Sequence, residues 1–198
     1  MDDFYESRNS IYCYKGTNVL KNKLNIKDFS SLMKLENRIA VFKAFELRRI
    51  GITGNFDKEH FKSIHRFMFE DLYDFAGEFR TENIAKDDFR FAEWEYIETE
   101  LDRLLSEIKE KKYFDGYSKE KLAESLAYYL AEFNVLHPFR EGNGRAIREF
   151  IRQLALKNGY LLDMREVSSE EMLYASKKSV YDISDLEKLI YKSLKKDI

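Results

Sequence analysis

Twelve consecutive residues, His137-Pro138-Phe139-Arg140-Glu141-Gly142-Asn143-Gly144-Arg145-Ala146-Ile147-Arg148, bring together an imidazole, a carboxylate, an amide, two glycines and three arginines. Helical patterns flank the segment on both sides, so it reads as a loop that opens a helix. Such a loop presents unbonded backbone N–H groups and the positive end of a helix dipole, which together favour an anion. Gly142 and Gly144 let the backbone curl close to an oxyanion. Arg145 and Arg148, three residues apart on the first turns, can both reach one polyphosphate. Glu141 offers a hard oxygen of the kind Mg²⁺ takes alongside substrate phosphates and water. His137, with an ordinary pKa of about 6.5, can accept a proton from an incoming hydroxyl. Pro138 fixes the backbone after it, and Phe139 reads as a core anchor. The bland alternative is a polar helix-opening loop with an incidental histidine. A glycine-rich loop alone leaves that open; His, Glu and two helical Arg in one segment favour phosphate-transfer chemistry.

Two other histidines invite a metal reading. His60 and His65 lie five apart on one helical pattern, hence on different faces, and no carboxylate or third ligand completes a zinc set. His65 reads instead as a partly buried polar residue beside the loop.

The elements that must position the segment are helical. One Pro in 198 residues removes the commonest helix breaker, and apolar residues recur at three- and four-residue spacing. After an arm of about 27 residues with a turn at Tyr14–Asn18, Asp28 caps a helix predicted from Phe29 to Ile50 that stops at Gly51. Asp57 starts the next, with Phe61, Ile64, Phe67, Met68 and Leu72 as its buried stripe. Further helices are predicted from about Glu93 to Lys111, from Ser118 to Leu136 and from Asn143 to Asn158-Gly159. Two short ones begin near Ser169 and at Ser184, where Ser184 and Glu187 fit a capping box. Glu82–Phe91, with Asp87-Asp88 at its centre, is the one hairpin signal. With no repeat and no linker, residues 1–198 read as a single, mainly α domain with an arm over 1–27 and a helical core over 28–198.

The charge balance is even, with 34 Lys plus Arg against 36 Asp plus Glu and a net charge of -2, so no binding of nucleic acid through bulk electrostatics is expected. Cys13 is the only cysteine, which excludes an intrachain disulfide. The acidic N-terminus is unlike a secretory signal, and no apolar stretch reaches the ~20 residues of a bilayer span. A cytoplasmic protein with no membrane partner is expected.

The twelve residues resemble the complete Fic motif, His-x-Phe-x-Asp/Glu-Gly-Asn-Gly-Arg-x-x-Arg, with every specified position matched. The arm from Tyr14 to Leu24, Ile64-His65, Asp74-Phe75-Ala76-Gly77-Glu78-Phe79-Arg80, the hairpin and Gln153-Leu154-Ala155 extend the resemblance to bacterial Fic toxins over roughly Tyr12 to Leu173. It implies a Fic-fold helical bundle with a short β-hairpin flap, transferring AMP from ATP, with Mg²⁺, to a Tyr, Thr or Ser hydroxyl of a target protein. It implies His137 as general base and Glu141 as the Mg²⁺ ligand. Gly142, Asn143 and Gly144 would form the anion hole, and Arg145 and Arg148 would hold phosphates. Ile84, Ala85 and Lys86 would be the flap that positions the target by strand addition. Another nucleotide or phosphate donor, or a silent partner-binding module, are the rival readings. Fic enzymes are often restrained by a helix with Ser/Thr-x-x-x-Glu-Gly/Asn, whose Glu pairs with the second motif arginine, here Arg148. At Glu36-Asn37 the residue four earlier is Leu32, with Ser31 one position out of register. Glu36 is therefore a degenerate inhibitory candidate, and a small antitoxin acting in trans is the preferred brake.

Overall fold

The computed structural model describes residues 10–86 and 89–196, which group into two compact units. The first comprises the described residues up to Thr99 together with His137–Ala146; the second comprises Glu100–Leu136 and the described residues from Ile147 onward.

In the first unit, helix α1 spans Phe29–Ile50. The Asp28 carboxylate accepts the Ser31 N–H at 2.8 Å to cap it, and Gly51 ends it at φ 68°, a left-handed angle natural to glycine. Its buried positions are Leu32, Glu36, Ala40 and Leu47, a helical stripe in which one carboxylate occupies a core place. Helix α2, Lys58–Phe69, is capped by Asp57 through the His60 N–H and buries Phe61, Ile64, His65, Met68 and Phe69. α1 packs against α2. The expected stripe thus holds at Phe61, Ile64 and Met68, while His65 joins the core and Phe67 sits at half-buried depth.

Strands β1, Ala85–Lys86, and β2, Phe89–Arg90, form an antiparallel pair with Ala85 opposite Arg90 and Lys86 opposite Phe89. The expected Asp87-Asp88 turn lies outside the described residues. In the arm, the Thr17 N–H bonds Tyr14 O at the expected turn, and Cys13 and Leu20 form an isolated bridge. The Asn22 side chain binds the backbone of Leu20 and Ile26, and the Lys23 N–H bonds Leu72 O, which pins the arm down.

The second unit takes up α3, Ile97–Glu110, from Glu100 onward, and holds α4, Lys119–Leu136. It continues α5, Asn143–Lys157, from Ile147. A short β3, Tyr160–Leu162, leads to α6, Ser169–Lys178, α7, Ser184–Ser193, and β4, Leu194–Lys196. α4 packs on α7, its Ala123, Ala127 and Ala131 buried with Leu122, Leu126, Leu130 and Phe133. Phe133 meets Phe150 edge-on at 5.7 Å.

One local expectation is corrected. The capping box belongs to Ser168 and Glu171 at the start of α6. At α7 the cap is Ile183, with no side-chain bond, and Ser184 is already helical, its N–H taken by Asp182 at 2.9 Å. Aspartate two residues upstream satisfies the same orphan donor, which displaces the serine inward. The antiparallel pairing of β3 with β4 went unforeseen, since three-residue strands more than thirty residues apart leave no hairpin signal. No helix among the described residues is long and apolar enough to cross a membrane.

Candidate active site

The motif loop His137–Gly142 and the first turn of α5 lie within the first unit. The loop is stapled from inside. Asn143, 1 % exposed, accepts the Phe139 N–H at 2.8 Å through Oδ1 and donates Nδ2 to Phe139 O at 2.7 Å. Its side chain holds the loop closed, and its backbone N–H is one of those a helix start leaves unbonded. Gly142 stands at φ 76°, and a Cβ there would lie 2.3 Å from the Phe69 ring. Glycine is required at that position by backbone angle and by core packing alike.

Phe139 is fully buried and stacks on His65, with ring centres 3.8 Å apart, and on Phe61 at 5.6 Å. The anchor role expected for it holds. His65 has no exposed surface, and its two nitrogens face two backbone groups. Nδ1 accepts the Gly77 N–H at 2.9 Å, so the proton sits on Nε2, which donates to Glu141 O at 2.9 Å. Burial holds its pKa down at about 3 against the pull of the Glu141 carbonyl, so this imidazole stays neutral.

The other side of the loop carries the reactive candidates. His137 has φ 48°, an uncommon angle for a side-chain-bearing residue and one that precedes a proline here. Arg80 sustains it. That guanidinium, 1 % exposed, donates Nε to His137 O at 2.8 Å, Nη1 to Glu82 O at 2.8 Å and Nη2 to Ala92 O at 2.5 Å. The Arg80 N–H adds a bond to Pro138 O at 2.9 Å. One side chain thus ties the two roots of the hairpin to the histidine. The ring of Phe91, just past β2, stacks on the His137 imidazole with centres 3.9 Å apart. Ile84 is buried as an anchor under the hairpin, and Ala85 and Lys86 supply the strand.

Glu141 Oε1 accepts the Gly142 N–H at 2.8 Å and lies 3.4 Å from Arg145 Nη2, while Oε2 takes no hydrogen bond among the described residues. Burial, helped by the negative charge of Glu36, pushes the Glu141 carboxyl up to about 7; Arg145 and the Gly142 N–H pull the other way. Arg145 lies over the Phe69 ring at 4.7 Å and gives Nη2 to Glu36 Oε1. Glu36 is fully buried, and its Oε2 accepts the Tyr73 hydroxyl. Burial and the adjacent Glu36 hold that phenol well above its ordinary pKa, so it stays a donor. The carboxylate expected to face Arg148 is therefore engaged by the first motif arginine. Arg145 Nη1 is buried with no hydrogen-bond partner among the described residues.

Glu36, His137, Glu141, Gly142, Asn143 and Arg145 all fall in this unit; Gly144 lies on its stretch of α5, and Arg148 one turn on, half-buried in the second unit. The described residues hold no cluster of three or more His, Cys, Asp or Glu for a metal. A single carboxylate oxygen with no other donor suits a magnesium ion held chiefly by phosphates and water, and Glu141 Oε2 is such an oxygen. Tyr73, Arg80, Phe69 and Phe91 carry parts that sequence reasoning did not assign. Only Glu36 left a readable trace, a carboxylate in phase with Leu32, Ala40 and Leu47.

The family model described as Fic/DOC matches residues 55–155, from the start of α2 to the motif helix. The protein adenylyltransferase VbhT of Bartonella schoenbuchensis is 41 % identical over 182 residues, 92 % of this chain; the chain spans 38 % of that relative's length. A probable protein adenylyltransferase Fic of Salmonella typhimurium is 34 % identical over 194 residues, covering 98 % of this chain and 96 % of the relative. Among solved structures, the BepC protein of Bartonella tribocorum with bound AMPPNP superposes with a TM-score of 0.88 at 28 % identity, over 93 % of this chain and 96 % of the other.

Proposed function

This chain belongs to the Fic/DOC family, and we propose that it is a protein adenylyltransferase that transfers AMP from ATP to a hydroxyl side chain of a target protein. The observation that carries the reading is the complete motif on a loop whose backbone is locked and whose Arg145 Nη1 and Glu141 Oε2 have no hydrogen-bond partner among the described residues. Relatives named as adenylyltransferases, and a superposing structure with AMPPNP bound, support a nucleotide in this role.

In this reading Arg145 and Arg148, with the N–H groups of the first turn of α5, hold the triphosphate. His137 takes the proton of the target hydroxyl as that oxygen bonds to the α-phosphorus and the bond to the bridging oxygen breaks, releasing pyrophosphate. Arg80 and Phe91 fix the imidazole so that positioning does much of the catalysis. Glu141 would hold Mg²⁺, which when bound neutralises phosphate charge. The hairpin Ile84, Ala85 and Lys86 supports a target segment added as a strand. A cytoplasmic toxin restrained in trans by a small antitoxin is the biological setting proposed, since no register-perfect inhibitory motif occurs in the chain.

The test is transfer of label from α-phosphate-labelled ATP with Mg²⁺, to the chain itself or to extract proteins. Label should appear with the wild type and vanish with His137→Ala while ATP binding persists. Equal labelling by both proteins, or none by either, removes the reading.

A further inference from the structure

We propose that Glu36 and Tyr73 form a positioning pair that sets Arg145 for phosphate and keeps it off Glu141, which makes Glu36 a support of the site and not its brake. The inference rests on the reading that ATP phosphates occupy the motif loop.

Glu36 sits on the core face of α1 between Leu32 and Ala40, with no exposed surface, so it is fixed by packing before any ligand arrives. Its two oxygens divide their work, Oε1 on Arg145 Nη2 and Oε2 on the Tyr73 hydroxyl, which holds the carboxylate in one orientation. Arg145 is thereby held on one edge, over Phe69, and its other terminal nitrogen, Nη1, is left with no hydrogen-bond partner among the described residues.

Nη2 also lies 3.4 Å from Glu141 Oε1, so two carboxylates compete for one donor. The closer contact is to Glu36. Were Glu36 neutral, the guanidinium would be drawn to Glu141, the only other carboxylate within ion-pair reach among the described residues, and would occupy the group assigned to the metal. A buried carboxylate that absorbs half of an arginine fork therefore leaves the other half, and the neighbouring glutamate, to the substrate. A brake would have to occupy the edge that phosphate needs; here that edge is Nη1, which Glu36 leaves alone.

The test measures binding of a non-hydrolysable ATP analogue with Mg²⁺ by calorimetry, alongside melting temperatures without nucleotide. Glu36→Gln, an isostere, should weaken binding by about tenfold, the scale of one charge-assisted hydrogen bond. Glu36→Gln combined with Arg145→Gln should bind no worse than Arg145→Gln alone, because the glutamate acts through that arginine. Tyr73→Phe, which keeps the charge pair and the ring, should give a smaller loss in the same direction. Unchanged or tighter binding by Glu36→Gln, or losses that add in the double variant, overturn the proposal. A wild-type chain that binds the analogue and shows these effects yet transfers no AMP overturns the adenylyltransferase reading and leaves this one standing.

Discussion

The inner side of the motif loop and its outer side are built to opposite rules. On the inner side, His65, Phe139 and Asn143 are buried, and each polar atom meets a backbone group at 2.7–2.9 Å. On the outer side, His137 holds a left-handed angle against the half-buried Phe91, and among the described residues Glu141 keeps an oxygen without a donor and Arg145 a nitrogen without an acceptor. The two histidines condense the contrast. His65 is locked neutral with both nitrogens committed, a histidine used as a fixed donor and acceptor. His137 is tied through its backbone carbonyl to Arg80, and its imidazole stacks on Phe91. Stability is concentrated on one side of the loop so that the other can hold a strained backbone and an incompletely hydrogen-bonded arginine in place.

If that division is right, substitutions should separate by side. The largest effect is expected where the sides meet, at Arg80. Arg80→Ala strips three carbonyls of their donor, and its loss should lower the unfolding free energy by on the order of 3 kcal/mol and misplace His137 enough to cut AMP transfer by about a hundredfold. Urea melts and labelled-ATP assays on the same protein check both. A loss of transfer without destabilisation would place Arg80 on the outer side alone.

Next is Gly142→Ala, which forces a Cβ into the Phe69 ring at an angle unfavourable to alanine. A destabilisation of about 2 kcal/mol or more is expected, with loss of ATP binding because the Phe69 ring also carries Arg145. A stable variant with intact binding would show that the loop adapts.

The pH dependence of stability tests the inner side directly. His65 has a folded pKa of about 3, and an unfolded histidine titrates at about 6.5, so the unfolded chain binds the extra proton between those values. Its contribution is present in full above pH about 6.5 and is lost as pH falls toward 3, by on the order of a few kcal/mol. Urea melts at pH 7, 5 and 4 should show the decline, and His65→Gln should flatten it. An unchanged slope in that variant would deny His65 its role.

Smallest in stability is Phe91→Leu. Only a half-buried ring that orients the imidazole is lost, so the melt should move by less than about 0.5 kcal/mol while transfer falls several-fold. Equal damage to both would assign Phe91 to the core.

Helices were the most legible feature of the chain, because caps and breakers act locally. Asp28, Asp57, Gly51 and Pro138 mark boundaries that stand where their chemistry puts them. The capping box at Ser184 failed for an equally local reason: Asp182 competes for the same donor and a one-residue shift changes which serine caps. The β3–β4 pairing was unreadable because its register depends on two segments meeting in space. In the site, the motif's residue types pointed to phosphate chemistry, but they did not show that the Asn143 side chain also holds the loop. That use is indistinguishable by spacing from one that grips a ligand.

By itself, the sequence determined the mainly helical architecture, the position of the motif's helix start and the inventory of histidine, carboxylate and arginine there, since these follow from short-range periodicity and residue chemistry. Tertiary structure alone decided which carboxylate holds which arginine, that His65 is sealed while His137 is held in strain, and that Arg80 joins hairpin to loop. Those pairings link residues 57 to 109 positions apart. No local rule encodes such contacts, because they exist only once packing has removed water and fixed which polar groups must satisfy one another.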